Sequence, residues 1–79
     1  MRILDIDTDN PVVGAQIYFT KAEAEEIIRG LGELLKNPEA VEHEHLITDG
    51  CEISYSIVTP AKRINGYTPR EQRLLEKNR

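Results

Sequence analysis

The chain predicts an α+β fold: a four-stranded, largely antiparallel sheet in ββαββα order, with one long amphipathic helix on one face and a short C-terminal helix. Three observations carry this expectation. One stretch repeats its apolar side chains at helical spacing, the regions on either side alternate as strands do, and an Asp49-Gly50 pair joins two of those alternating runs. The 79 residues fit one domain, 1–79, with no room for a second core.

Residues 1–6 suit a first strand, weakened by its aspartates. Asp7-Thr8-Asp9-Asn10-Pro11 follows as a loop, because Asn and Asp favour turns and Pro11 has no backbone donor. Residues 15–19 alternate cleanly, with Ala15, Ile17 and Phe19 on one side and Gln16 and Tyr18 on the other. Thr20 then caps a helix. Glu23, three residues on, completes a capping box, and Glu25 and Glu26 add negative charge near the positive end of the helix dipole. Ala24, Ile27, Ile28, Leu31, Leu34 and Leu35 form its apolar face, and Glu25 and Arg29 are spaced to pair. Pro38 stops the helix near Asn37. Gly30 and Gly32 cost it about 1 kcal/mol each relative to alanine, which points to a close approach by another backbone or to simple tolerance.

Residues 41–48 and 51–59 are strand-like runs on either side of Asp49-Gly50, a pair suited to a tight hairpin turn with positive φ at both positions. A turn centred there sets Thr48 opposite Cys51, Leu46 opposite Ile53 and Glu44 opposite Tyr55, and this largely apolar face should meet the helix. The other face receives Ile47 opposite Glu52, His45 opposite Ser54 and His43 opposite Ser56. After Pro60 comes a basic loop with Asn65-Gly66, then a second capping box with Thr68 as cap, Pro69 at the first helical position and Glu71 at the third. Only Leu74 and Leu75 anchor this last helix.

Charge is unevenly spread along a chain of net charge −4. Residues 1–59 carry four basic against twelve acidic side chains, for −8, whereas residues 60–79 carry six basic against two acidic, for +4. The acidic body argues against nucleic acid as a target. The basic tail, with Lys62, Arg63, Arg70 and Arg73, is suited to an acidic surface, such as an anionic small molecule or the body of a second copy. No apolar run approaches the ~20 residues that cross a bilayer, and the first residues lack the apolar core and cleavage site of a secretory signal. With a single cysteine, Cys51, no intrachain disulfide can form. A cytoplasmic protein with no membrane partner is expected, and Cys51 is expected to pack beneath the helix as a small apolar group.

Enzyme signatures are weak. His43-x-His45 puts two imidazoles on one side of a strand, but a metal site needs three or four ligands, and the same-face neighbours Ser54 and Ser56 bind zinc poorly. Asp5-x-Asp7-x-Asp9 opens like a calcium loop, yet Asn10 and Gln16 stand where such a loop requires glycine and glutamate. There is no phosphate-cradling glycine loop and no nucleophile–base spacing. The expectation is a non-catalytic protein without cofactors. Its binding surface is the open sheet face formed by Gln16, Tyr18, His43, His45, Ser54 and Ser56, with the basic tail as a second contact. A thin core, burying roughly 60–65% of the unfolded surface, also favours a homo-oligomer.

The run Tyr18-Phe19-Thr20-Lys21-Ala22-Glu23-Ala24, the helix ending in Asn37-Pro38, the His43-x-His45-Leu46 strand and the Glu52-Ile53 strand together resemble small immunity proteins of bacterial polymorphic toxin systems. The resemblance covers roughly residues 15–58. It implies a cytoplasmic, non-catalytic protein that neutralises a toxin by direct contact; the function expected is accordingly an inhibitor, an immunity or anti-defence protein whose partner is a toxin or effector. The alternative is a homodimer that binds an anionic, nucleotide-like ligand.

Overall fold

The computed structural model describes residues 1–40, 42–60, 62 and 67–77. Within them the fold is α+β: helix α1 (Lys21–Lys36), strand β1 (Glu44–Thr48), strand β2 (Cys51–Tyr55) and helix α2 (Pro69–Lys77).

Helix α1 begins as its sequence dictates. The Thr20 hydroxyl accepts from the Glu23 amide at 3.2 Å and the Glu23 carboxylate accepts from the Thr20 amide at 2.8 Å, so two amides that the helix cannot satisfy are bonded reciprocally. Asn37 ends it, donating its amide to the Leu34 carbonyl. The same box recurs at α2, where the Thr68 amide donates to Glu71 Oε1 at 3.0 Å and the Glu71 amide donates to the Thr68 hydroxyl at 3.3 Å.

Strands β1 and β2 pair antiparallel in the expected register, with Glu44 opposite Tyr55, His45 opposite Ser54, Leu46 opposite Ile53, Ile47 opposite Glu52 and Thr48 opposite Cys51. The turn differs in detail. Gly50 has φ 73°, but Asp49 does not adopt positive φ, so one position rather than two uses the left-handed region. The ladder is also shorter than the alternating runs. It starts at Glu44 and ends at Tyr55, which leaves His43 and Ser56 just beyond it.

The four-stranded sheet is not formed. Among the described residues the sheet has two strands, β1 and β2. At the N-terminus, the Asp5 carboxylate takes the amides of Asp7 at 2.9 Å and Thr8 at 3.4 Å, turning the chain just where a strand would continue. Only one isolated bridge, Leu4 with Pro11, remains of the expected first strand, closed by Val12 N–H to the Ile3 carbonyl at 2.8 Å. Residues 15–19 run without a ladder straight into the Thr20 cap. Their alternation is real, but strand formation depends on a neighbouring edge, and nothing in local sequence supplies one.

One face of the hairpin lies against α1. Glu44 reaches Arg29, and Tyr55 abuts Gly30, so the close approach at this glycine comes from a ring and not from a backbone. Arg29 pairs with Glu26 at 2.7 Å and Glu44 at 3.2 Å, replacing the expected Glu25–Arg29 pair. Among the described residues Leu34 and Leu75 are the buried apolar side chains, each still 6% exposed. Cys51 is exposed beside the turn and so does not pack beneath α1.

At its open end the hairpin is fastened. The Thr59 hydroxyl donates to Glu39 at 2.9 Å and accepts from the Lys62 amide, while Lys62 Nζ donates to the Ala40 carbonyl at 3.2 Å. Arg70 on α2 pairs with Asp9 and donates to the Ile6 carbonyl at 3.0 Å, holding the N-terminal loop.

Candidate binding surface

The side of the hairpin turned away from α1 is built by strand alternation. It carries His45 and Ile47 on β1 and Glu52 and Ser54 on β2, all exposed. Ser54 Oγ and His45 Nδ1 share a hydrogen bond of 2.8 Å across the strands. Glu52 Oε1 lies 3.5 Å from the same nitrogen and forms an ion pair when the ring is protonated. His43 approaches from beyond the strand end, its ring edge-on to His45 with centroids 4.6 Å apart and planes at 82°. Ser56 is exposed one residue past β2.

This arrangement does not build a nucleophile–base–acid relay. In such a relay the hydroxyl and the carboxylate hold opposite nitrogens of the imidazole, so that one positions the ring while the other is deprotonated. Here Ser54 and Glu52 both approach Nδ1. What the geometry offers is a fixed pattern of donors, acceptors and ring edges beside an apolar side chain. That side chain is Ile47, 71% exposed, an element of this face that polarity-based reasoning left out of the site although its position in the alternation was clear.

The other expected site residues are dispersed. Gln16 and Tyr18 are exposed, Tyr18 at 83%, but they lie on the unpaired 15–19 segment and not on a strand beside the hairpin. Lys62 is buried, its amine committed to Ala40, and is therefore not a surface cation. Arg70 is engaged by Asp9 and Ile6. Arg73 remains exposed at the edge of a shallow cleft with Leu4, Asp9, Pro11, Arg70 and Leu74. Arg63 and the Asn65-Gly66 pair lie outside the described residues. Lys62, Arg70 and Arg73 thus do not converge on one basic pocket, because the structure uses two of them internally.

Electrostatic perturbation concentrates on the helix side instead. The Arg29 guanidinium, bonded to Glu26, holds that carboxyl below its ordinary range and is itself held in the charged form by Glu26 and Glu44. Burial, reinforced by the Glu44 carboxylate, raises the Tyr55 phenol above its ordinary value. The Asp5 carboxyl is lowered chiefly by the bond from the Asp7 amide. Asp5 and Asp9 therefore spend their carboxylates on backbone amides and on Arg70.

A second exposed apolar surface went unrecognised in the sequence. The apolar positions of α1 all seemed to face the sheet, yet Ile28 is 70% exposed and Leu35 62%, with Leu31 exposed between them. Helical geometry explains this: Leu34 and Ile28 lie about 120° apart around the axis, a wider arc than a two-stranded hairpin covers. Among the described residues no helix is long and apolar enough to cross a membrane. No protein family, curated protein or solved structure matches this chain.

Proposed function

We propose that the chain is a non-catalytic binding module, an inhibitor in the manner of small immunity or anti-defence proteins, that contacts a protein partner through the outer face of the hairpin. The observation that carries this reading is Ile47, an aliphatic side chain left 71% exposed at the turn end of a face whose other groups, His43, His45, Glu52 and Ser54, are polar and partly locked to one another. Protein interfaces combine apolar contact with polar groups beside it, and this face offers both. The hairpin also fixes these groups before contact, which lowers the ordering cost of binding.

Size sets a limit on this face. Two strands of five residues span about 17 Å by about 10 Å, well short of the roughly 800 Å² per partner of a standard interface. The hairpin face is therefore the centre of a larger contact, and its loss should be felt most at Ile47. The test compares the wild-type chain with Ile47→Asp and with His45→Ala against an interacting protein from its native host. A tenfold or greater loss of affinity for Ile47→Asp, with the melting temperature unchanged, supports the reading. Wild-type affinity in both variants removes this face.

A further inference from the structure

We propose that the chain forms an antiparallel, two-fold symmetric dimer through the outer face of α1, one copy against another. The face is continuous. Ala24, Ile28, Leu31 and Leu35 follow one another at intervals of four, three and four residues and therefore line one stripe, and the last three are exposed. Gly32 lies beside that stripe with nothing within 4 Å of where a side chain would start, so a second helix can approach closely there.

The flanks decide in favour of a second copy. Glu25 and Lys36 lie on the same side of the stripe, about 60° and about 80° around the axis from Ile28. In an antiparallel pair related by a two-fold axis, residues on the same flank of the two helices face each other. An axis passing near Leu31 sets Ile28 of one copy close to Leu35 of the other and brings Glu25 of each copy to Lys36 of its mate. The contact is thus self-complementary in both shape and charge, as an isologous interface requires. Glu25 makes no ion pair within the chain among the described residues, and Lys36 is tied only to its exposed neighbour Glu33 at 3.1 Å. A 16-residue helix is about 24 Å long, so the shared area falls at the small end of specific interfaces and the dimer should dissociate on dilution.

Sedimentation velocity on the full chain over a range of concentrations tests this contact. A monomer–dimer equilibrium is expected, abolished by Ile28→Glu, a change at an exposed position that leaves helical circular dichroism intact. Glu25→Lys and Lys36→Glu should each weaken association roughly 3- to 30-fold, since each breaks two symmetry-related surface pairs. Combining Glu25→Lys with Lys36→Glu should restore it towards the wild-type value. A chain that stays monomeric at millimolar concentration overturns the proposal. So does a dimer indifferent to Ile28→Glu, or charge reversals whose combination is no better than either alone. Should Ile28→Glu unfold the chain, the charge-reversal series decides by itself.

Discussion

The phenol of Tyr55 lies so close to the backbone of Gly30 that a methyl group at position 30 would overlap its hydroxyl oxygen and stand 2.9 Å from Cζ. Strand β2 and helix α1 are therefore brought together by the absence of a side chain. The glycine weakens the helix locally and admits the ring that joins the two elements.

Gly30→Ala is accordingly expected to destabilise the chain by about 1–3 kcal/mol, the ordinary cost of overpacking, despite the ~1 kcal/mol that alanine contributes to a helix. Gly32→Ala, with open space around it in the single chain, should do the reverse and stabilise the monomer by about 1 kcal/mol, measured at concentrations too low for the proposed dimer. Urea denaturation of the two variants checks the opposite signs. Two shifts of the same sign would refute the assigned contact.

The pH dependence should have an acidic and an alkaline limb. Glu26 has a lowered carboxyl in the folded chain, so the folded state binds its proton less readily than the unfolded state. Its contribution is complete above the ordinary glutamate value of 4.5 and disappears as pH falls through the lower folded value. Glu26→Gln should flatten the melting-temperature profile below about pH 4.5. Tyr55 is shifted the other way, so its contribution is present below its ordinary value of 10.0 and lost as pH rises through the higher folded value. Tyr55→Phe should remove that alkaline loss and, because the buried hydroxyl has no hydrogen-bond partner among the described residues, leave stability near neutral pH unchanged or slightly higher.

Arg70→Ala removes both the pair with Asp9 and the bond to the Ile6 carbonyl. The pair is partly exposed and is worth at most ~1 kcal/mol, and the hydrogen bond contributes a comparable amount. A loss of about 1–2 kcal/mol is expected, accompanied by faster hydrogen exchange at the amides of Asp5, Asp9 and Val12, which close the N-terminal loop. Unchanged exchange there would show that the loop holds itself.

Cys51 should be modified quantitatively by a thiol reagent in the folded chain, without denaturant, because it is exposed at the turn. Cys51→Ser should change stability by less than about 0.5 kcal/mol. A protected thiol would restore the expectation that it packs beneath the helix.

The sequence was legible where chemistry is local. The capping boxes of Thr20 with Glu23 and Thr68 with Glu71 depend on residues three apart, and both are formed. The register across Asp49-Gly50 follows from the shortness of the turn and from strict alternation, and every expected pair from Thr48–Cys51 to Glu44–Tyr55 is present. What failed was non-local. Residues 1–6 and 15–19 have strand composition, but pairing requires an edge elsewhere in the chain. In the first case the Asp5 side chain offered the backbone a competing turn. Gln16 and Tyr18 left the candidate site with their strand, while His43, His45 and Ser54 stayed because the hairpin positions them. Lys62 and Arg70 seemed free cations, since a sequence does not disclose that Ala40, Ile6 and Asp9 will come within reach.

The bond between Glu39 and Thr59 joins residues twenty positions apart, at the end of the hairpin opposite its turn. A ladder clasped at both extremities has no loose tip from which to unzip, so partial peeling of β1 from β2 is suppressed. A protease offered the native chain should nick the unpaired stretch before Thr20 first and cut within the clasped hairpin only once the whole molecule has opened.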